Sequence, residues 1–156
     1  MPKYSICIPT FNRSEVVINA LNSAINQDNQ DFEILLVDNH SDENHKTFLE
    51  EYLDGASLKN FTYIRNSHNL GMFKNWDKCI DLANGNYISL LSEVDLLAPN
   101  FLTIIDCLVE IYPNCAYFVK KNEFEISQQF FSPRRGRPFN ISNVRRLNGN
   151  IFNFIK

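Results

Sequence analysis

Short runs of consecutive apolar and β-branched residues recur along the chain at 4–9, 32–37, 61–64, 87–91 and 116–119, each bounded by polar or turn-forming residues. Runs of this length predict strands. Apolar side chains on successive residues, rather than on alternate ones, predict strands covered on both faces of a sheet. Between the strands the apolar spacing changes to three and four. Over 14–27, Val17, Ala20, Leu21, Ala24 and Ile25 share one helical face behind Ser14 as the N-cap, and over 72–83 Phe73, Trp76, Ile80 and Ala83 do the same. Segments 42–53 and 101–111 complete a regular alternation of strand and helix. That alternation predicts an α/β fold: a Rossmann-like, open, mostly parallel sheet with helices on both faces and right-handed connections.

Composition narrows the class. A chain of 156 residues that is 44% hydrophobic and 13% aromatic can bury the core of one domain. The net charge is −3, and Lys and Arg are scattered apart from Arg134, Arg135, Arg137, Arg145 and Arg146, so nucleic acid is not an expected partner. No apolar run is long enough to span a bilayer, and the N-terminal residues lack the charged and apolar blocks of a signal peptide. The expectation is a soluble, cytoplasmic protein. Cys7, Cys79, Cys107 and Cys115 each stand alone in an apolar segment, which predicts reduced, buried thiols rather than a metal or redox pair.

In open parallel sheets ligands bind beyond the carboxyl ends of the strands. Three apolar runs end abruptly in polar residues: Pro9-Thr10-Phe11-Asn12-Arg13, Asp38-Asn39-His40-Ser41-Asp42, and Ser92-Glu93-Val94-Asp95. All three belong on one rim. The first two would flank a crevice for a planar base, and the third would bring carboxylates to a cation or a sugar. Each segment alone reads more readily as turn formers and helix caps. A dinucleotide fold of the usual kind is disfavoured, because no G-x-G-x-x-G follows the first strand.

Together the segments SICIPTFNR, FEILLVDNHSDE, RNSHNLGMFKNWDKCIDLANGNYISLL and SEVDLLAPNFL, spanning 5–13, 32–43, 65–91 and 92–102, resemble family 2 glycosyltransferases of the GT-A fold. The resemblance runs from Tyr4 to about Leu108 and implies a nucleotide-sugar-binding portion over 1–120, followed by a polar loop and the start of a truncated acceptor-side region over 121–156. It implies that Pro9, Thr10, Phe11 and Asn12 line the nucleotide, with the Phe11 ring by the base or ribose unless it is a core residue. Asp38 and Asn39 stand where the family often has two aspartates, the second contacting a uracil edge. Arg65 and Asn66 would face the diphosphate, with Lys74 and Asn75 approaching from the next helix and Trp76 in the core. Glu93 would join the nucleotide site.

The acidic loop departs from the family pattern. Counted back from Pro99, the usual metal-binding acid falls on Val94, which has no oxygen to offer Mn or Mg. On an extended loop Glu93 and Asp95 would point to the opposite face from Val94. Asp95, the shorter, is the candidate ligand for a divalent metal, which the Val94 replacement puts in doubt. No acid follows Glu125, so the general base expected of an inverting transferase is absent from this sequence. The resemblance therefore implies binding of a nucleoside-diphosphate sugar, a UDP-sugar foremost. It implies inverting transfer to a saccharide or lipid-linked acceptor in cell-envelope polysaccharide synthesis. The alternative is a truncated or degenerate, non-catalytic nucleotide-sugar-binding module. The C-terminal arginines read as a solvated tail or as peripheral contact with anionic lipid at the inner membrane surface. Phe130, Phe131, Phe139, Phe152 and Phe154 read as a surface prone to self-association.

Overall fold

The computed structural model describes residues 1–56 and 58–111. The expected strand at 116–119, the polar loop, Cys115, the arginine cluster and the C-terminal phenylalanines lie outside the described residues.

Four strands, β1 (Tyr4–Thr10), β2 (Phe32–Asp38), β3 (Phe61–Arg65) and β4 (Tyr87–Leu90), form one sheet in the order β3-β2-β1-β4. Every pairing is parallel, with Tyr4 opposite both Phe32 and Tyr87, and Ile34 opposite Phe61. The helices are α1 (Ser14–Ile25), α2 (Glu43–Gly55), α3 (Met72–Leu82) and α4 (Phe101–Ile111). The expected alternation is present, with each strand and helix within two residues of its predicted bounds.

The period-two geometry of the strands divides the core between two faces. Tyr4, Ile6 and Ile8 of β1 and Phe32, Ile34 and Leu36 of β2 pack on one side with Val17, Ala20, Leu21 and Ala24 of α1, Leu49 of α2, and Leu102 and Ile105 of α4. On the other side Cys7, Leu35, Val37, Ile88 and Leu90 meet Cys79 and Ile80 of α3. Both faces of the central strands are apolar because both are covered. Pro9 is tolerated inside β1 because Cys7 is the last β1 residue paired with β4, so the missing N–H falls where that ladder has ended.

Three local expectations are corrected. Ser14 is the first residue of α1 rather than its cap; Arg13 holds the cap position, and the Ser14 hydroxyl meets His45 Nδ1 at 2.9 Å instead. On α3 the buried residues are Asn75, Cys79 and Ile80, whereas Phe73 is exposed and Trp76 half-buried, the two rings meeting edge to face. The buried face of α3 is thus rotated toward a polar residue that the apolar pattern overlooked. Cys107 is exposed, while Cys7 and Cys79 are buried and unpaired; burial pushes the Cys79 thiol up to about 12, which makes it inert.

The opposite end of the sheet is closed by polar ties. Asp106 of α4 accepts hydrogen bonds from Lys3 Nζ, Tyr4 Oη and Asn29 Nδ2. Gly85 approaches β1 so closely that a Cβ there would lie 2.6 Å from the Ser5 nitrogen and 2.6 Å from the Tyr4 carbonyl carbon.

Candidate functional site

The strand order places the topological switch between β1 and β4. The chain passes from β1 outward to β2 and β3, then α3 carries it back across the other face to β4. Connections leaving β1 and entering β4 lie on opposite faces, which opens a crevice beyond their carboxyl ends. The three polar segments meet there, as expected.

Glu93 ties two of them together. Its Oε2 accepts from Thr10 Oγ1 at 2.6 Å and from the Phe11 N–H at 3.2 Å, and its Oε1 lies 3.4 Å from Arg13 Nε. The Phe11 ring is 40% exposed, so it is not a core phenylalanine. Asn12 takes a positive φ of 53°, as asparagine can. It bridges to the second segment: its N–H donates to Ser41 Oγ at 2.8 Å, and its side chain and the Asp42 N–H are joined at 2.8 Å.

Asp38 is fully buried and committed to the protein. Its Oδ1 accepts from the Ser41 N–H at 3.0 Å and from the Ser41 hydroxyl, and its Oδ2 accepts from Tyr63 Oη at 3.2 Å. Arg65 lies against it, with Nε 3.4 Å from Asp38 Oδ2. The Arg65 Nη2 donates to the Ser41 carbonyl at 2.7 Å and to Glu43 Oε1 at 3.4 Å. These contacts hold the β2 loop to β3 and α2 through the guanidinium for which the family resemblance implies a diphosphate contact.

A buried amide network lies next to this pair. Asn39, Asn66 and Asn75 are each 3% exposed or less. Asn66 Nδ2 donates to Asn39 Oδ1 at 3.1 Å and to Asn75 Oδ1 at 2.8 Å, and Asn75 Nδ2 donates to the Val37 carbonyl at 3.1 Å. His40, with φ 67°, sets its Nδ1 3.1 Å from the Asn66 carbonyl, so that nitrogen carries the ring proton. Lys78 Nζ donates to Asn66 Oδ1 at 2.6 Å. Lys74, the expected contact, is exposed one helical turn earlier. Sequence reasoning placed His40 and Ser41 on the rim only as members of the β2-end segment, without a role, and missed Lys78 and Asn69 as parts of it. The i, i+4 relation of Lys74 to Lys78 was the one available signal.

The acidic loop is a turn, not the extended segment expected: the Asp95 N–H donates to the Ser92 carbonyl at 3.0 Å. Val94 is exposed at its apex and Asp95 is half-buried. No group of three or more His, Cys, Asp and Glu that could hold a metal occurs among the described residues. Such a cluster is not required where a diphosphate supplies most of the oxygens, since Mg is commonly held by one or two carboxylates plus phosphates. Glu93, at the head of this turn, is engaged by Thr10, Phe11 and Arg13. A separate groove of about 470 Å3, lined by Val16, Asn19, Asn22, Val94 and Leu96, runs between α1 and the 93–99 loop and shares Glu93 with the crevice.

The fold is an open parallel α/β sheet with its polar rim at a topological switch point. The sequence profile of Glycosyl transferase family 2 matches residues 5–154, and the chain belongs to that family. It is 35% identical over 108 residues to abequosyltransferase RfbV of Salmonella typhimurium, a stretch covering 68% of this chain and 32% of that protein. It is 25% identical over 166 residues to the GalNAc(5)-diNAcBac-PP-undecaprenol beta-1,3-glucosyltransferase of Campylobacter jejuni, covering 100% of this chain and 52% of the other. The fold superimposes on Staphylococcus aureus TarS 1-349 in complex with UDP-GlcNAc with a TM-score of 0.66 at 21% identity, over 81% of this chain and 37% of that one. The chain thus spans about a third to a half of the length of these relatives. Among the described residues no helix is long and apolar enough to cross a membrane.

Proposed function

We propose that the chain binds a nucleoside-diphosphate sugar across the carboxyl ends of β1, β2 and β4, and supplies the donor side of an inverting glycosyl transfer. The acceptor is a saccharide or lipid-linked saccharide of cell-envelope polysaccharide synthesis, and the site of action is the cytoplasm or the inner membrane surface. The observation that carries this reading is the convergence of Thr10, Phe11, Asn39 and the Glu93–Asp95 turn at the topological switch point of a family 2 chain. The envelope reading is supported by the Campylobacter relative, an enzyme named for an undecaprenol-linked saccharide.

Each residue has a physical task in this reading. The exposed Phe11 ring offers an apolar face to the base or ribose. Glu93 acts mainly by holding the β1 loop in place through Thr10 and Phe11. Pro9 and Asp38 shape the rim from within, and Asn66, Lys74 and Lys78 border the nucleotide from α3. Asp95 would hold a Mn or Mg ion, which when bound neutralises charge on the departing nucleoside diphosphate. In the transfer the acceptor oxygen bonds to the anomeric carbon from the face opposite the diphosphate. The bond from that carbon to the diphosphate oxygen breaks, and the hydroxyl proton passes to a general base. None of the described residues is assigned that base. A non-catalytic binding module is the second reading, favoured by Val94 at the place of the family's acid.

Calorimetric titration of the folded chain with nucleoside diphosphates, with and without Mn, tests the donor site. The expected result is micromolar binding that Mn strengthens and Asp95→Ala weakens to the metal-free value. If no nucleoside diphosphate binds to folded protein, the donor-site reading fails. If binding occurs but is indifferent to Mn and to Asp95→Ala, the metal role fails and the site stands.

A further inference from the structure

The groove beside α1 runs from Val16 and Val94 at the crevice end to Asn26 and Pro99 at the other. The helix between its ends is about 15 Å long. The loop that forms the second wall is tied to α1. Ser23 Oγ accepts the Leu97 N–H at 3.0 Å, the buried Gln27 donates from Nε2 to the Ala98 carbonyl at 2.8 Å, and the Asp28 N–H donates to the Pro99 carbonyl at 2.9 Å. A groove fixed in this way is preformed, so a ligand need not order its walls.

The lining specifies a class of ligand. Among the described residues Glu93 is the one charged side chain lining the groove, and its oxygens meet Thr10, Phe11 and Arg13. With no cation in the walls, a phosphate or nucleotide finds no charged donor there. With the carboxylate engaged, neither a metal nor a basic peptide finds an open one. What the groove offers is amides along α1. The Asn19 side chain is exposed and makes no hydrogen bond among the described residues. One end of the Asn22 amide meets Tyr52 Oη at 2.8 Å, and Asn26 donates from Nδ2 to the Asn22 carbonyl at 2.9 Å, which leaves its Oδ1 open. Beside these amides stand the exposed apolar side chains of Val16, Val94 and Leu96. Sugar rings match this mixture, with hydroxyls that both donate and accept and with apolar C–H faces. A lipid chain or an apolar helix would leave the amides unpaired.

We propose that this groove is an acceptor site, holding a neutral saccharide along α1 with its accepting end at Val94. The role of acceptor rests on the nucleotide-sugar reading above; the binding of a saccharide does not. Glu93 borders both groove and crevice, so a saccharide leaving the groove at Val94 enters the crevice beside Asp95. Val94, at the place of the family's acid, gives that junction an apolar side chain on which a sugar ring rests.

The test is NMR titration of the 156-residue chain, in which asparagine side-chain NH2 signals are read directly. The probes are neutral trisaccharides of glucose, galactose, mannose and N-acetylglucosamine, a trigalacturonate as anionic counterpart, and UDP added separately. At least one neutral trisaccharide should bind with a dissociation constant of about 1 mM or tighter, shifting the Asn19, Asn22 and Asn26 amides and the Val94 and Leu96 methyls. Asn19→Ala and Leu96→Ser, both at exposed positions, should each weaken that binding by about five- to tenfold at unchanged melting temperature. Absence of groove shifts with every neutral probe overturns the inference, as does equal binding of the trigalacturonate or an affinity indifferent to both variants. Nuclear Overhauser contacts from the groove to residues 112–156 also overturn it, because the chain would then fill its own groove. UDP keeps the two readings apart. UDP shifts at Phe11 without saccharide shifts remove the acceptor groove and leave the donor site. Saccharide shifts without UDP binding leave a sugar groove but overturn its acceptor role together with the donor reading.

Discussion

Glu93 Oε2 accepts the Thr10 hydroxyl at 2.6 Å, joining the end of β4 to the end of β1 across the topological switch point. The carboxylate at the head of the acidic loop is thereby a brace between two walls of the crevice. Glu93→Ala removes the brace and leaves the strands paired. Nucleotide affinity should fall by about tenfold, with a change in melting temperature of no more than a few degrees. Equal affinity in the variant would show that the β1 loop holds its shape without Glu93.

Arg65 separates a structural role from a ligand role. Its guanidinium compensates Asp38, which is fully buried. Arg65→Met should leave that carboxylate short of its countercharge and cost roughly 3 kcal/mol, read as a lowered denaturation midpoint. If stability were unchanged while nucleotide affinity dropped, Arg65 would belong to the diphosphate, as the sequence implied.

Gly85 is required by space. The nearest atoms to an added Cβ are backbone, at 2.6 Å, and backbone cannot rotate away as a flexible side chain can. Gly85→Ala should destabilise by about 2 kcal/mol or more, without altering residues at the rim. Thermal unfolding of the variant checks this; a loss below roughly 0.5 kcal/mol would mean that the β4 entry shifts freely.

Acid should loosen the end of the sheet remote from the crevice. Burial alone would raise the Asp106 and Glu33 carboxyls, but hydrogen bonds from Lys3 and Tyr4 to the first, and from Ser5 and Asn84 to the second, hold them below their ordinary 3.8 and 4.5. A depressed folded-state value means that the unfolded chain takes up protons first as pH falls. The stability these groups contribute is therefore complete above about pH 5 and is lost as pH drops through the folded values. Asp106→Asn should lower the melting temperature at pH 7, and the deficit should shrink as pH falls through the depressed folded value, where the wild-type aspartate takes up its proton. A pH-independent deficit would assign the effect to packing.

The run lengths and spacing of apolar residues by themselves determined the order of elements, the parallel character of the sheet and the meeting of three strand-end segments on one rim. That succeeds because burial on both faces must be written into each strand locally, and because parallel connections have one favoured hand. The resemblance to the family added the expectation of a nucleotide site and the replacement of the usual acid by Val94. Tertiary structure alone decided which polar groups remain available. Asp38, Arg65 and Glu93 find partners 22 to 83 residues distant along the chain, contacts that brace the rim from within the protein. Asn39 has its oxygen filled by a backbone N–H 31 residues further on. Hydrogen-bond capacity is a property of neighbours in space, and no periodicity records which lone pairs folding has already occupied.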